Sequence, residues 1–155
     1  MPKPSRFAVC PHCGVRHHTI TPEQCQDRSI SEKVLTDRVL YRAKKWGWKA
    51  THAGRAIVGE RDDGSPIFIT PMAVGWPDQT LVKAGHRIIF MELKREQGEV
   101  TEEQWFWLKL LNLTGNHAIV VRPSDLRTGR VNAILRIGAP VGPGKPLQDL
   151  SKQGS

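Results

Sequence analysis

The sequence predicts a mixed α/β fold, in which a central sheet is covered by helices on both faces. Residues 87–94 (Arg-Ile-Ile-Phe-Met-Glu-Leu-Lys) have the two-sided apolar pattern of a central strand. Residues 31–46 and 101–113 have the apolar spacing of helices that pack against such a strand. A further apolar segment, residues 117–121, follows the second helix, as expected for a β-α-β unit.

The first helix is predicted over residues 31–46. Its apolar side chains recur at helical spacing and form one stripe, which consists of Leu35, Val39, Ala43 and Trp46. Gly47 supplies a stop signal, because glycine readily adopts the left-handed conformation that ends helices. Residues 48–52 follow as a first strand.

Two hairpins are predicted in the middle of the chain. The apolar segments 56–58 and 67–69 flank Arg-Asp-Asp-Gly-Ser, in which the Asp-Gly pair is typical of a hairpin turn. Residues 78–82 and 87–94 are joined by a Lys-Ala-Gly-His turn and form the second hairpin.

The second helix is predicted over residues 101–113. Thr101-Glu-Glu-Gln104 matches a capping box, and Gly115 follows the last apolar residue. Aromatic and aliphatic side chains occupy much of the circumference of this helix, so we expect it to be heavily buried. A right-handed crossover would then return residues 117–121 as a strand parallel to residues 87–94.

Positive charge is concentrated at the two ends of the chain. Residues 29–125 contain 14 Lys and Arg against 12 Asp and Glu, residues 126–155 five against one, and residues 1–28 four against two. We therefore divide the chain into a Cys/His-rich segment (1–28), a core (29–125) and a basic, flexible, partly disordered tail (126–155). The tail would contact phosphates, although a basic tail can also simply aid solubility. Its basic residues are Arg127, Arg130, Arg136, Lys145 and Lys152.

The sequence predicts a cytoplasmic protein with no membrane partner. No apolar run approaches the roughly 18 residues that span a bilayer. The N-terminus has basic residues but no apolar segment of the kind found in secretory signals. Three cysteines, an odd number, argue against a disulfide framework.

Polar residues interrupt the central strand pattern at its end. Because side chains alternate in a strand, Glu92 and Lys94 lie on the same face as the apolar Ile88 and Phe90. A buried carboxylate is costly without a partner, and a metal ion would supply one for Glu92. Asp78, which begins the preceding strand, is well placed to be a second acid. Alternatively, the strand simply enters solvent at Glu92, and Pro-Asp forms only a turn.

Two further residues are candidates for the same site. Glu32 lies three residues before Leu35 on the apolar stripe, but Ser29-Ile-Ser-Glu32 also matches a capping box with Glu32 at its third helical position. Gln104 lies one turn into the second helix, where it could face the site or only cap Thr101. Sites rich in carboxylates suit Mg²⁺ or Mn²⁺.

These motifs together resemble a known family. Glu32, Gly75-Trp-Pro-Asp78, Glu92-Leu-Lys94 and Gln104 are similar, in order and spacing, to the motif series of virus-type replication-repair nuclease (VRR-NUC) domains. These domains belong to the PD-(D/E)XK nuclease superfamily. The resemblance covers residues 29–125 and implies a restriction-endonuclease-like core, in which helices flank a mixed sheet.

The resemblance also implies roles for individual residues. Asp78 and Glu92 would be metal ligands, together with the main-chain carbonyl of Leu93. Lys94 would position or activate the attacking water. Glu32, as a further metal ligand, and Gln104, as a catalytic residue, would complete the site.

The function that the resemblance implies is metal-dependent hydrolysis of phosphodiester bonds in DNA. Short stand-alone relatives are similar to phage nucleases that cut branched or junction DNA in replication, recombination or repair, and some work as homodimers. We therefore expect Mg²⁺ or Mn²⁺ as the cofactor, in a bacterial or phage-infected cell. Two alternatives are a non-catalytic, zinc-containing nucleic-acid-binding protein and a restriction-type endonuclease that cuts at a sequence.

The cysteines form a second constellation, outside the region of resemblance. Cys10-Pro-His-Cys13-Gly is typical of a zinc knuckle. With Cys25 and either His17 or His18, it would make a four-ligand structural site, for which we take His18 as the working ligand. The alternative is three cysteines without a metal.

Overall fold

A computed structural model describes residues 9–17, 19–54, 56–69 and 72–138. The described chain is a mixed α/β protein, as predicted, with a Cys/His cluster near the N-terminus. None of its helices has the length and apolar character needed to span a membrane. Its helices are α1 (Pro22–Ser29), α2 (Glu32–Lys45), α3 (Glu102–Leu113), α4 (Pro123–Arg127) and α5 (Arg130–Ile137). Its strands are β1 (Lys49–His52), β2 (Ala56–Glu60), β3 (Pro66–Ile69), β4 (Gln79–Val82), β5 (Ile89–Leu93) and β6 (His117–Val121).

The main sheet has the strand order β1-β4-β5-β6. Strands β1, β4 and β5 are antiparallel neighbours, whereas β6 is parallel to β5 and reaches it through α3. All five residues of β5 are buried, which confirms the prediction of a central strand. The predicted first hairpin is also confirmed, because β2 and β3 form a separate two-stranded sheet.

The sheet has a different apolar cluster on each face. The odd-numbered residues of β5 pack against α2 and α5, in a cluster that includes Leu35, Val39, Ala43, Ile89, Met91, Leu93, Val131 and Leu135. The even-numbered Phe90 packs against α3 through Leu108 and Leu111. Since side chains alternate along a strand, Glu92 lies on the α3 face of the sheet.

The folded body continues beyond the boundary predicted at residue 125. Helix α5 lies in the predicted tail, yet Val131 and Leu135 are fully buried in the core. The indole nitrogen of Trp48 donates a hydrogen bond of 2.8 Å to the carbonyl of Leu135. This region is an amphipathic helix whose basic residues lie on the exposed side. Its average charge alone did not indicate the buried apolar side. Residues 139–155, which include Lys145 and Lys152, lie outside the described residues.

Helix α3 is less buried than its composition predicts. Trp105 and Phe106 are 56% and 60% exposed, and only Leu108 and Leu111 are buried. The reason is that α3 covers the sheet with one side, while its outer side is not covered by the described part of the chain. The predicted capping box at Thr101 is confirmed.

Candidate active site and metal centre

Two carboxylates meet at one edge of the main sheet. Gln79 of β4 lies opposite Met91 of β5, so the antiparallel register places Asp78 opposite Glu92. The Oδ2 atom of Asp78 accepts a hydrogen bond of 2.8 Å from the amide of Leu93. The hairpin register, together with this bond, fixes both acids at the end of β5.

Among the described residues, Glu92 has hydrogen-bond and ion-pair partners on only one carboxylate oxygen. Its side chain is 1% exposed. The Oε1 atom accepts a hydrogen bond from Gln104 and lies 3.2 Å from the ammonium of Lys94. The Oε2 atom is buried and has no hydrogen-bond partner among the described residues. A buried carboxylate oxygen without a partner is costly, so this atom favours a ligand that the described residues do not supply.

The electrostatics of the pair favour a cation. Burial and, next to it, the neighbouring carboxylate of Asp78 raise the pKa of Glu92 to about 7, although Lys94 opposes the shift. The positive charge of Lys94 therefore does not fully compensate the negative charges of Asp78 and Glu92. Carboxylate oxygens are the ligands that Mg²⁺ and Mn²⁺ prefer, so Asp78 and Glu92 are the residues that could hold such an ion.

Gln104 has both of the roles that the sequence left open. Its Oε1 atom accepts the amide of Thr101 at 2.9 Å, which caps α3, while its Nε2 atom donates to Glu92. The first turn of α3 is therefore fixed relative to the end of β5. The side chain of Gln104 thus connects the N-terminus of α3 to Glu92 by hydrogen bonds.

Gly75 allows the Gly-Trp-Pro-Asp segment to approach α3 closely. Its φ is +81°, and a Cβ at this position would lie 2.5 Å from the carbonyl carbon of Glu103. Trp76 packs edge-on against Trp107, whose indole nitrogen donates to the carbonyl of Val74. These contacts hold the segment that ends in Asp78 against α3. Sequence reasoning included Gly75 in the motif but gave it no role.

Glu32 does not have the predicted placement. The N-cap of α2 is Ser31, whose Oγ accepts the amide of Val34, and not Ser29. Glu32 is consequently the first helical residue and is exposed, whereas Leu35 is buried. Helix α2 also packs on the face of the sheet opposite to Glu92. Metal ligation by Glu32, like that by the Leu93 carbonyl, stays a prediction.

The cysteine cluster is brought together by the fold. The ligand atoms of Cys10, Cys13, His17 and Cys25 all lie within 4.8 Å of one another. A tight turn positions the first two, because the amide of Gly14 donates to the carbonyl of Cys10 at 2.8 Å. Three thiols and one imidazole are the donor set of a structural zinc site. The predicted histidine, His18, lies outside the described residues, and His17 occupies the cluster.

The three thiols of the cluster lie close enough to influence one another's ionisation. Burial and the neighbouring thiols of Cys13 and Cys10 raise the pKa of Cys25 to about 11. Zinc binds cysteine as a thiolate, so an ion at this position would have to displace that proton. The cluster could bind a metal such as zinc.

Helix α1, which carries Cys25, connects the cluster to the core. It was not predicted, although Thr21-Pro-Glu-Gln24 is a capping box with proline at the first helical position. Asp27 is 2% exposed and pairs with Arg127 of α4 at 2.9 Å. This buried carboxylate anchors α1 to the C-terminal helices.

Two arginines of the predicted basic tail form ion pairs within the protein, while the contact of the tail with phosphates stays a prediction. Arg127 pairs with Asp27, and Arg130 pairs with Asp125 at 2.9 Å. Both guanidinium groups are therefore engaged within the protein. Of the three tail arginines in the described residues, Arg136 has no carboxylate partner there.

We expect the protein, purified without chelator, to contain about one zinc per chain. Replacement Cys13→Ser should remove the zinc because it deletes a ligand, while the core clusters should stay folded because they do not include these residues. Elemental analysis measures the zinc, and circular dichroism the fold. His17→Ala should lower the zinc content, and His12→Ala is the matched control, because His12 contacts Ser29 rather than the thiols. A wild-type protein without zinc would contradict the assignment.

Comparisons of the chain with protein-family models, with curated proteins and with solved structures found no match. The resemblance to VRR-NUC domains therefore stays a prediction.

Proposed function

We propose that this protein is a Mg²⁺- or Mn²⁺-dependent DNA endonuclease whose active site is the sheet edge at Asp78 and Glu92. The observation that carries the proposal is the buried Glu92, which Lys94 and Gln104 contact on one oxygen while the other has no described partner. A purely structural role would leave two adjacent acids incompletely compensated. A divalent cation removes that difficulty.

The chain order supports a PD-(D/E)XK core. The series α2, β1, β4, β5, α3, β6, with the β2–β3 hairpin inserted after β1, is the α-β-β-β-α-β order expected from the sequence. Asp78 directly precedes β4, and Glu92 lies near the end of β5. Lys94 is two residues after Glu92 and therefore lies on the same face of the sheet. This is the arrangement that the resemblance to VRR-NUC domains would require.

Each residue has a definable task in hydrolysis. A cation held by Asp78 and Glu92 would act as a Lewis acid on the phosphate and lower the pKa of a water molecule. The ammonium of Lys94 lies beside Glu92, where it can orient that water or stabilise negative charge on the phosphate oxygens. Gln104 and the amide of Leu93 fix the orientation of the two carboxylates.

Exposed aromatic residues favour branched DNA as the substrate. Trp105 and Phe106 follow Gln104 directly, and more than half of each side chain is exposed. Aromatic faces stack on bases that are unpaired or unstacked, and such bases occur at flaps, at forks and at the branch points of junctions. The net charge of +8 suits a polyanionic ligand.

The test is a cleavage assay with flap, fork, four-way-junction and linear DNA, with Mg²⁺, with Mn²⁺ and without either. Omission of the metal is preferable to chelation, which would also remove zinc. We expect cleavage of branched DNA that requires the added ion. Cleavage of linear duplex at one sequence would favour a restriction-type enzyme. No cleavage by folded, zinc-containing protein would favour the non-catalytic alternative.

The raised pKa of Glu92 predicts a pH-dependent stability. Its pKa is about 7 in the folded protein against 4.5 for an unperturbed glutamate, so the folded state binds the proton more tightly. The stability that this protonation contributes is fully present below the pKa of Glu92 in the unfolded protein. It is lost as the pH rises through about 7. Without added divalent ion, wild type should lose thermal stability relative to Glu92→Gln between about pH 5 and pH 8.

The difference between the two proteins isolates Glu92. His117, whose pKa is lowered by burial and by Arg130 and Arg87, titrates in both proteins and cancels. Added Mg²⁺ should restore stability to wild type at the higher pH and leave Glu92→Gln nearly unchanged. Thermal unfolding across the pH series measures both effects. A difference in Tm that does not vary with pH would contradict the raised pKa.

A further inference from the structure

A basic groove lies between α2 and α5. Its volume is about 460 Å³, and its lining includes Tyr41, Arg42, Lys45, Trp46, Asn132 and Arg136. Tyr41 is 71% exposed. Tyr41, Arg42 and Lys45 come from the last turns of α2, whereas Asn132 and Arg136 lie along α5, so both helices build the groove.

The groove is remote from the acid pair. It lies among helices that pack on the Ile89 and Met91 face of the sheet, whereas Glu92 lies on the α3 face. The C-terminal end of α2 leads through Gly47 into β1, whose Lys49 pairs with Val82. Val82 is four residues after Asp78, about 13 Å along the strand. The groove and the active site therefore lie on different faces and at opposite ends of the sheet.

The charge of the groove is uncompensated. Its lining contains the cations of Arg42, Lys45 and Arg136 and no carboxylate. None of the three forms an ion pair within the described residues, in contrast to Arg127 and Arg130. Like charges that face one another across a groove repel, and a polyanion that binds between them relieves the repulsion.

The side chains of the groove suit a phosphodiester chain. Guanidinium and ammonium groups bind phosphate oxygens, and the Asn132 amide and the Tyr41 hydroxyl can donate to phosphate or sugar oxygens. Such contacts carry no base specificity. They would position DNA without selecting a sequence.

We propose that this groove binds the phosphate backbone of a second DNA arm, distinct from the arm that is cut. The identity of the polymer rests on the proposed nuclease function. Duplex DNA is stiff, with a persistence length of about 150 base pairs, so one short linear duplex cannot turn from the active-site face to the groove. The arms of a junction diverge and can reach both. The groove thus makes branched DNA the preferred ligand.

The test compares wild type with the triple variant Arg42→Gln, Lys45→Gln and Arg136→Gln. Fluorescence anisotropy measures the affinity for a four-way junction and for a short linear duplex across a salt series, without added Mg²⁺. The triple variant should bind the junction at least about tenfold more weakly, and the slope of log K against log salt should fall by about two to three units. Its affinity for the short duplex should change much less.

A matched control removes the same charge elsewhere. Arg28→Gln, Lys33→Gln and Arg61→Gln replace three cations outside the groove, so a general charge effect would appear in both triple variants. Thermal unfolding checks the fold, and Arg136→Glu alone repeats the test if the triple variant is unstable. Junction binding equal to that of the control would overturn the proposal, as would equal losses for junction and duplex. Because binding is measured without cleavage, failure of the nuclease assignment is detected separately.

Discussion

Glu92→Gln and Asp78→Asn should each abolish cleavage while the protein stays folded and still binds DNA. Both substitutions keep the size of the side chain but remove the charge that would hold the cation. We expect the single-turnover rate to fall by at least about a thousandfold, because the cation-dependent stabilisation of charge in the transition state is lost. DNA affinity should be unchanged or tighter, since each variant removes a negative charge from the site.

The control for this prediction is Glu99→Gln, which removes one exposed carboxylate from the segment between β5 and α3. Its cleavage rate should equal that of wild type. Full activity in Glu92→Gln would mean that the acid pair is not the catalytic centre.

Gly75→Ala should be the most destabilising single substitution near the site. The alanine would have to adopt a φ of +81°, and its Cβ would lie 2.6 Å from the Cβ of Glu103 and 2.8 Å from the amide of Gln104. The helix backbone cannot move away without loss of the Gln104–Glu92 contact. We expect a loss of about 2–4 kcal/mol of unfolding free energy, from strain and overpacking together. Cleavage should fall as well, because Asp78 is displaced.

Gly85→Ala separates the two causes. Gly85 has a φ of +77°, but a Cβ there would have nothing within 4 Å. Gly85→Ala should therefore lose only the unfolding free energy that the backbone strain costs, about 1–2 kcal/mol. Urea unfolding of both variants measures the difference. Equal destabilisation by the two substitutions would show that close approach to α3 is not what requires glycine at position 75.

The sequence predicted the elements whose signals are local. The two-sided apolar pattern of residues 87–94 identified β5, the Asp-Gly pair identified the β2–β3 hairpin, and Thr101 with Gln104 identified the start of α3. The sequence placed Asp78 and Glu92 on neighbouring strands of one hairpin but did not predict their register, because a turn of residues 83–86 would have placed Asp78 opposite Met91.

The predictions that were wrong concerned features that depend on tertiary packing. Glu32 lies at helical spacing from Leu35, but spacing alone does not show how far the buried stripe extends toward the helix start. Trp105 and Phe106 are apolar yet exposed, because only one side of α3 packs against the sheet and these residues lie on its other side. Helix α5 was concealed by its arginines, since charge averaged over a segment does not reveal that Val131 and Leu135 share a buried side.

We expect Asp78 and Glu92 to form a divalent-cation site. Electron paramagnetic resonance measures it most directly, because Mn²⁺ bound to protein is distinguishable from free Mn²⁺ and no DNA or cleavage is needed. Titration of the zinc-containing protein should show a Mn²⁺ site in wild type and in Glu99→Gln that is lost in Asp78→Asn and in Glu92→Gln. Equal Mn²⁺ binding by wild type and both acid-pair variants would contradict this expectation.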